Sequence, residues 1–175
     1  MLLWLFACHR VEQDTAQELS CFDVSPQISV GTGEQEFLSM EPEQELVMVH
    51  GPQGGWHMLG SIYLAHTLPI VEIDYTITDI ESGTMVSSNH YRVGLVMEDE
   101  CTGYYPGMYG YLNVQELANG ELDTPPELLA NHLLLLEMKS NDCTTSQDER
   151  GDCARAQRWA QGEFVVRAAL DPIDQ

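Results

Sequence analysis

The residue types best suited to chemistry crowd into one stretch, Met48-Val49-His50-Gly51-Pro52-Gln53-Gly54-Gly55-Trp56-His57-Met58. Two imidazoles flank a glycine-rich turn, and two thioethers stand just outside them. Imidazole nitrogen combined with thioether sulfur suits copper, its reduced ion above all. Strand register works against the simplest such site. If residues 51–55 form a hairpin loop, His50 pairs with Trp56, and directly opposed residues share a sheet face. His57 then points to the other face. His50, His57, Met48 and Met58 converge on one ion only through a bulge, which paired glycines favour. The competing reading places Trp56 and Met58 in the core, His50 at a strand end and His57 on the surface. The turn has a second use. Gly51, Gly54 and Gly55 let backbone amides approach a partner closely, and the Gln53 amide can donate and accept. Gly51, Gln53, Gly54, Gly55, Trp56 and His57 are therefore candidate ligand-binding residues. The turn is not a phosphate cradle, because no Gly-Lys-Ser/Thr follows and no helix begins.

Oxygen ligands gather elsewhere. Residues 141–153 contain the carboxylates Asp142, Asp148, Glu149 and Asp152. Calcium takes about six to eight oxygens, and a bridge between Cys143 and Cys153 would hold these together. The spacing is not that of an EF-hand, and Arg150 competes for the carboxylates. The alternative is a solvated loop with local Arg–carboxylate pairs, each worth little. No other cofactor is implied. For catalysis there is no G-x-S-x-G, H-E-x-x-H or S-x-x-K. The sequence therefore names no catalytic residue and predicts no enzyme; a hydrolase would have to rest on a spatial arrangement alone. Tyr104, Tyr105, Tyr109 and Tyr111 offer either an aromatic binding patch or half-buried strand packing.

The composition limits the partners. With 28 acidic and 7 basic residues in 175, the formal charge is −21. Such a surface repels phosphate backbones, which excludes nucleic acid as a partner class. It keeps the protein soluble and attracts cations. The length suits one domain with a proper core.

The N-terminus, Met1-Leu2-Leu3-Trp4-Leu5-Phe6-Ala7-Cys8, is uniformly apolar and far short of the roughly 20 residues a bilayer span needs. Leu5-Phe6-Ala7-Cys8 resembles the lipobox of bacterial lipoproteins, in which the cysteine is lipidated and becomes the mature N-terminus. Phe6 is bulkier than that pattern prefers, and no basic residue precedes the apolar run. The resemblance implies lipidation at Cys8, export and a membrane partner through the anchor, in the outer membrane or on the periplasmic face of the cell envelope. The other reading is a buried strand with a free cysteine. Residues 8–30 are polar and acidic, and as a flexible tether their reach is about 25 Å. Cys21 and Phe22 suggest that part of this arm docks on the domain. Gly51, Gln53, Gly54, Gly55 and His57 also resemble a G-x-Q-G-G-x-H segment of exported bacterial lipoproteins. That likeness bears on localisation and fold and brings no activity.

Apart from Cys8, four cysteines remain, an even number that suits disulfides in an exported protein. Three pairings are possible. Closing the short loop between Cys143 and Cys153 costs least, which leaves Cys21 to tie the arm to Cys101.

Around these residues the chain reads as short strands. Candidates are 36–40, 46–50 and 56–66. The cleanest alternation follows, with Val71, Ile73, Tyr75 and Ile77 apolar and Glu72, Asp74, Thr76 and Thr78 polar, the mark of a strand with one wet face. Residues 81–83 form its turn, 84–97 a further strand, 98–110 a loop and 111–114 a strand. Thr124-Pro125-Pro126-Glu127 has an N-cap, a proline at the first helical position and an early glutamate, which predicts a short helix. Residues 132–138 suit a central strand, 154–161 a helical turn ended by Gly162, and 164–170 a last strand. The expectation is all-β: a Greek-key, immunoglobulin-like antiparallel β-sandwich of about eight strands with one or two short helices. Its organisation would be a signal-peptide remnant at 1–7, the lipidated cysteine and tether at 8–30 and one domain at 31–175. The function expected is a binding or structural module of the envelope, with an envelope protein or glycan as partner; metal handling is the alternative.

Overall fold

The computed structural model describes residues 21, 23–51, 55–112, 126–143 and 156–172, with the backbone alone at 126, 143, 156 and 157. It is all-β. The strands are β1 (Gln27–Gly31), β2 (Glu45–His50), β3 (Trp56–Ala65), β4 (Ile70–Asp79), β5 (Met85–Gly94), β6 (Val96–Met97), β7 (Thr102–Leu112), β8 (Leu133–Cys143) and β9 (Ala156–Leu170). They follow one hydrogen-bonded path, β5-β4-β8-β9-β2-β3-β7-β6, with β1 beside β3.

Strand β2 joins the two halves of that path. Its residues Glu45, Leu46, Val47 and Met48 run parallel to Arg167, Ala168, Ala169 and Leu170 of β9. Its last two residues pair antiparallel with Trp56 and His57 of β3. The parallel pair departs from the wholly antiparallel expectation. A six-residue strand cannot be seen from sequence to serve two neighbours in turn.

The alternating run is strand β4. Val71, Ile73, Tyr75 and Ile77 are all fully buried, because each polar neighbour faces solvent while the apolar set faces inward. On the other side of the core, β3 and β7 present two glycines to Tyr75. A Cβ at Gly60 would lie 2.8 Å from Tyr75 Cζ, and one at Gly110 would lie 2.9 Å from Cε1. The aromatic ring occupies space that side chains would fill, and its hydroxyl is buried without a hydrogen-bond partner among the described residues. Burial raises the Tyr75 phenol far above its ordinary value, with Tyr91 adding to the effect.

Four sequence expectations are corrected. Residues 98–110 are not one loop: from Thr102 onward they belong to the eleven-residue β7. Glycine and proline suggested a break, but they mark an irregularity. Pairing with β3 shifts register between Gly60 and Ile62, and opposite that shift Gly107 takes φ 67° and donates its N–H to Gly33 O at 2.9 Å. A bulge accommodates both residues within a strand. Of the predicted helical turn 154–161, residues 154 and 155 lie outside the described residues, and residues 156–161 are likewise not helical, since β9 runs unbroken through Gly162. There the absent side chain admits β1: a Cβ would sit 3.1 Å from Ile28 Cγ2 and Val30 Cγ2. Residues 36–40 contribute only an isolated bridge, Thr32 with Leu38, since Glu41-Pro42 follows before a ladder can form. The predicted short helix is one 3₁₀ turn, Pro126–Leu128, and Asn131 at φ 68° ends the turn structure before β8.

The arm is docked where the structure describes it. Cys21 is disulfide-bonded to Cys101 with Cα atoms 5.2 Å apart, and β1 within the arm pairs with β3. The ordered domain therefore begins before residue 31. Residues 1–20, including the apolar N-terminus and Cys8, lie outside the described residues.

Candidate functional site

The glycine turn is a hairpin in the expected register. His50 pairs with Trp56, Val49 pairs with His57, and Gly51 N–H donates to Gly55 O at 2.9 Å. Pro52, Gln53 and Gly54 lie outside the described residues. The His50 and Trp56 rings meet at 5.0 Å. Met48 and Met58 share that face and are sealed in the core. His57 is on the opposite face. The four residues of the copper set are thus divided by the sheet itself. Among the described residues no group of three or more His, Cys, Asp or Glu could hold a metal ion.

His57 was expected on the surface but is only 5% exposed. The cause is the neighbouring strand. In β7, Tyr111 is its direct partner and Tyr109 lies beside Leu59. The Tyr109 ring meets His57 edge to face at 4.6 Å, and Tyr111 stands 6.1 Å from it. The two tyrosines stack on each other at 5.8 Å with planes 20° apart. They cover the imidazole while remaining 40% and 59% exposed. Burial holds the His57 pKa below its ordinary value, so near neutral pH the ring is an uncharged, packed support. The result is a rigid aromatic platform of two exposed phenols over a buried imidazole, beside the Gly51–Gly55 turn. Tyr104 and Tyr105 are not part of it. Tyr104 pairs with Tyr63, and Tyr105 packs against the core.

A residue that the sequence did not single out braces the platform. Tyr91 of β5 donates its phenolic hydrogen to the Tyr109 carbonyl at 2.5 Å. Nothing local in the sequence connects positions 91 and 109; only the approach of β5 to β7 does.

Of the oxygen-rich stretch 141–153 the structure describes residues 141–143. Asp142 belongs to β8 and is 2% exposed. It accepts a hydrogen bond from Thr67 Oγ1 at 2.6 Å and lies 3.7 Å from Arg158 Nη1. Arg158 also donates to the carbonyls of Val24 at 2.5 Å and His66 at 2.6 Å. Asp142 is therefore buried on the core side of β8, held between Thr67 and Arg158. Asp148, Glu149, Asp152 and Cys153 lie outside the described residues, as does the Cys143 side chain.

One serine, aspartate and histidine do meet. Asp79 accepts from Ser82 Oγ at 2.5 Å and lies 3.1 Å from His132 Nδ1. Here the carboxylate stands between hydroxyl and imidazole. A nucleophile relay needs the imidazole in the middle, so this cluster clasps the β4–β5 turn to the start of β8.

No protein-family model matches the chain, and no curated protein matches it. Among solved structures it is similar to the CooA pilin subunit from enterotoxigenic Escherichia coli, at 9% sequence identity and a TM-score of 0.34, over 82% of this chain and 99% of that one. Among the described residues no helix is long and apolar enough to cross a membrane.

Proposed function

We propose that this chain is a lipid-anchored binding module of the bacterial cell envelope, with no catalytic role, whose contact surface for a protein partner is the Tyr109–Tyr111 platform. The observation that carries the reading is the exposed, stacked tyrosine pair held in place by the buried His57. Large exposed aromatic side chains on a rigid strand lose little entropy on binding, and they are enriched in protein contact sites. Gly51 and Gly55, joined by the Gly51 N–H to Gly55 O bond, border the platform where β2 turns into β3.

Export is supported by the Cys21–Cys101 disulfide, which suits an oxidising compartment, and by the lipobox-like Leu5-Phe6-Ala7-Cys8. In this reading Cys8 carries the lipid and residues 1–7 are removed. A Greek-key, immunoglobulin-like sandwich is the architecture that goes with it, with Tyr75 packed between the glycines of β3 and β7. The anchor is tested by metabolic labelling with a radioactive fatty acid: the parent incorporates label, and Cys8→Ser does not. An unlabelled parent removes the anchor from the proposal. The contact surface is tested separately, by photo-crosslinking from position 111 in intact cells.

A further inference from the structure

The outer face of the other half of the sheet carries a second arrangement. Strand register places Arg92, Glu72, Asn141 and Trp159 in one row across β5, β4, β8 and β9. Three inter-strand spacings make this row about 14 Å long. Trp159 is 66% exposed, the most exposed of the large hydrophobic side chains described. Its neighbours in the chain explain the direction. Arg158 points inward to Asp142 and Ala160 is buried, so alternation drives Trp159 outward. In the adjoining row Gln161 of β9 lies opposite Lys139 of β8. Both are exposed.

We infer that this strip binds an uncharged polysaccharide. Three features carry the inference. An exposed indole on a strand offers a flat apolar surface for the C–H face of a sugar ring. The planar amides of Asn141 and Gln161 and the Lys139 ammonium, in this row and the adjoining one, supply donors and acceptors for sugar hydroxyls. Arg92 and Glu72, 4.0 Å apart with both side chains mostly buried, form a fixed end to the row, so the strip does not have to be ordered when a ligand arrives, which lowers the entropy cost of binding.

Charge selects a neutral ligand. Asp74, Glu137 and Glu163 occupy the same outer face, and the whole chain carries −21. A polyanion is repelled from such a surface. In the tyrosine platform on the opposite half the strand partners of Tyr109 and Tyr111 are Leu59 and His57, neither of them an amide or a carboxylate, which is why sugar is assigned here and protein there.

The test is affinity electrophoresis of the full chain in native gels containing hydroxyethyl cellulose, arabinoxylan, galactomannan or glycol chitin, with alginate as the anionic control. Retardation is expected in at least one neutral gel and not in alginate. Trp159→Ala should weaken that retardation about tenfold, as loss of one aromatic stack does. Gln161→Ala, an exposed amide whose loss leaves the core untouched, should weaken it severalfold and serves if Trp159→Ala does not fold. Tyr111→Ala should leave it unchanged. Absence of retardation in every neutral gel, retardation in alginate alone, or retardation that survives both strip variants would overturn the inference. Loss through Tyr111→Ala instead would place the sugar on the other face and equally overturn it.

Discussion

The Tyr91 phenol donates a 2.5 Å hydrogen bond to the main-chain carbonyl of Tyr109. The bond crosses from β5 at one end of the sheet path to β7 near the other. Beside β7, β6 pairs only with Gly103 and Tyr104, so further along the strand a side chain takes the place that a backbone partner would fill. The platform of Tyr109, Tyr111 and His57 is thereby fixed from behind.

Removing that hydroxyl should loosen the platform without unfolding the protein. Tyr91→Phe leaves the Tyr109 carbonyl unpaired at a half-exposed position and should cost about 1 kcal/mol. Urea unfolding measures the loss, and hydrogen exchange should rise in β7 more than in β4. Equal exchange in both strands would show that the bond has no local role.

Tyr75 offers the opposite case. Its buried hydroxyl has no partner among the described residues, so desolvation of the hydroxyl is not repaid. Tyr75→Phe keeps the ring between Gly60 and Gly110 and should raise stability by about 1 kcal/mol. A thermal melt checks this; a lowered midpoint would mean the hydroxyl is satisfied in solution.

Asp79 sets a pH dependence. Burial alone would raise its pKa, but hydrogen bonds from Ser82, His132 and the backbone amides of Ser82 and Glu81 outweigh it and hold the carboxyl below its ordinary value. A depressed folded pKa gives stability that is fully present above the unfolded value of about 3.9 and is lost as pH falls through the folded value. Asp79→Asn should therefore be destabilised by about 1 to 3 kcal/mol at pH 7. The gap from the parent should narrow below about pH 4. Urea midpoints from pH 2 to 7 measure it, and a gap that stays constant contradicts the assignment.

How much of this was visible beforehand depends on the range of the interaction. Val71, Ile73, Tyr75 and Ile77 announced a strand because one wet face forces alternation. The pairing of His50 with Trp56 followed from loop length, and the Cys21–Cys101 bridge was one of three open pairings, the one left when Cys143 and Cys153 close the shortest loop. Strand β7 was hidden because Pro106 and Gly107 read as a loop when they form a bulge. Only the first half of β9 was hidden, because its inward positions Arg158, Ala160 and Gly162 are charged or small, with Arg158 paired to Asp142; the alternation from Phe164 to Leu170 was legible. That same misreading concealed Trp159, whose outward direction follows only once 156–170 is a strand. The burial of His57 was not legible either, since it depends on which residues of β7 fall opposite.

The arm and domain are joined covalently, and this has a measurable size. The bridge spans 80 residues, so the double variant Cys21→Ser/Cys101→Ser should lose about 2 to 4 kcal/mol. Urea unfolding without reductant reads it, and a stability equal to the parent would mean that the bridge does not constrain the unfolded chain.

The tyrosine platform is probed most directly by site-specific photo-crosslinking in intact cells. A photoreactive phenylalanine analogue is placed at Tyr111, and in a second strain at Ser88 on the outer face of β5. One discrete protein adduct is expected from position 111, absent from position 88 and lost when Tyr109→Ala is added. No adduct from position 111, or the same adducts from both positions, would contradict the tyrosine platform as the contact surface.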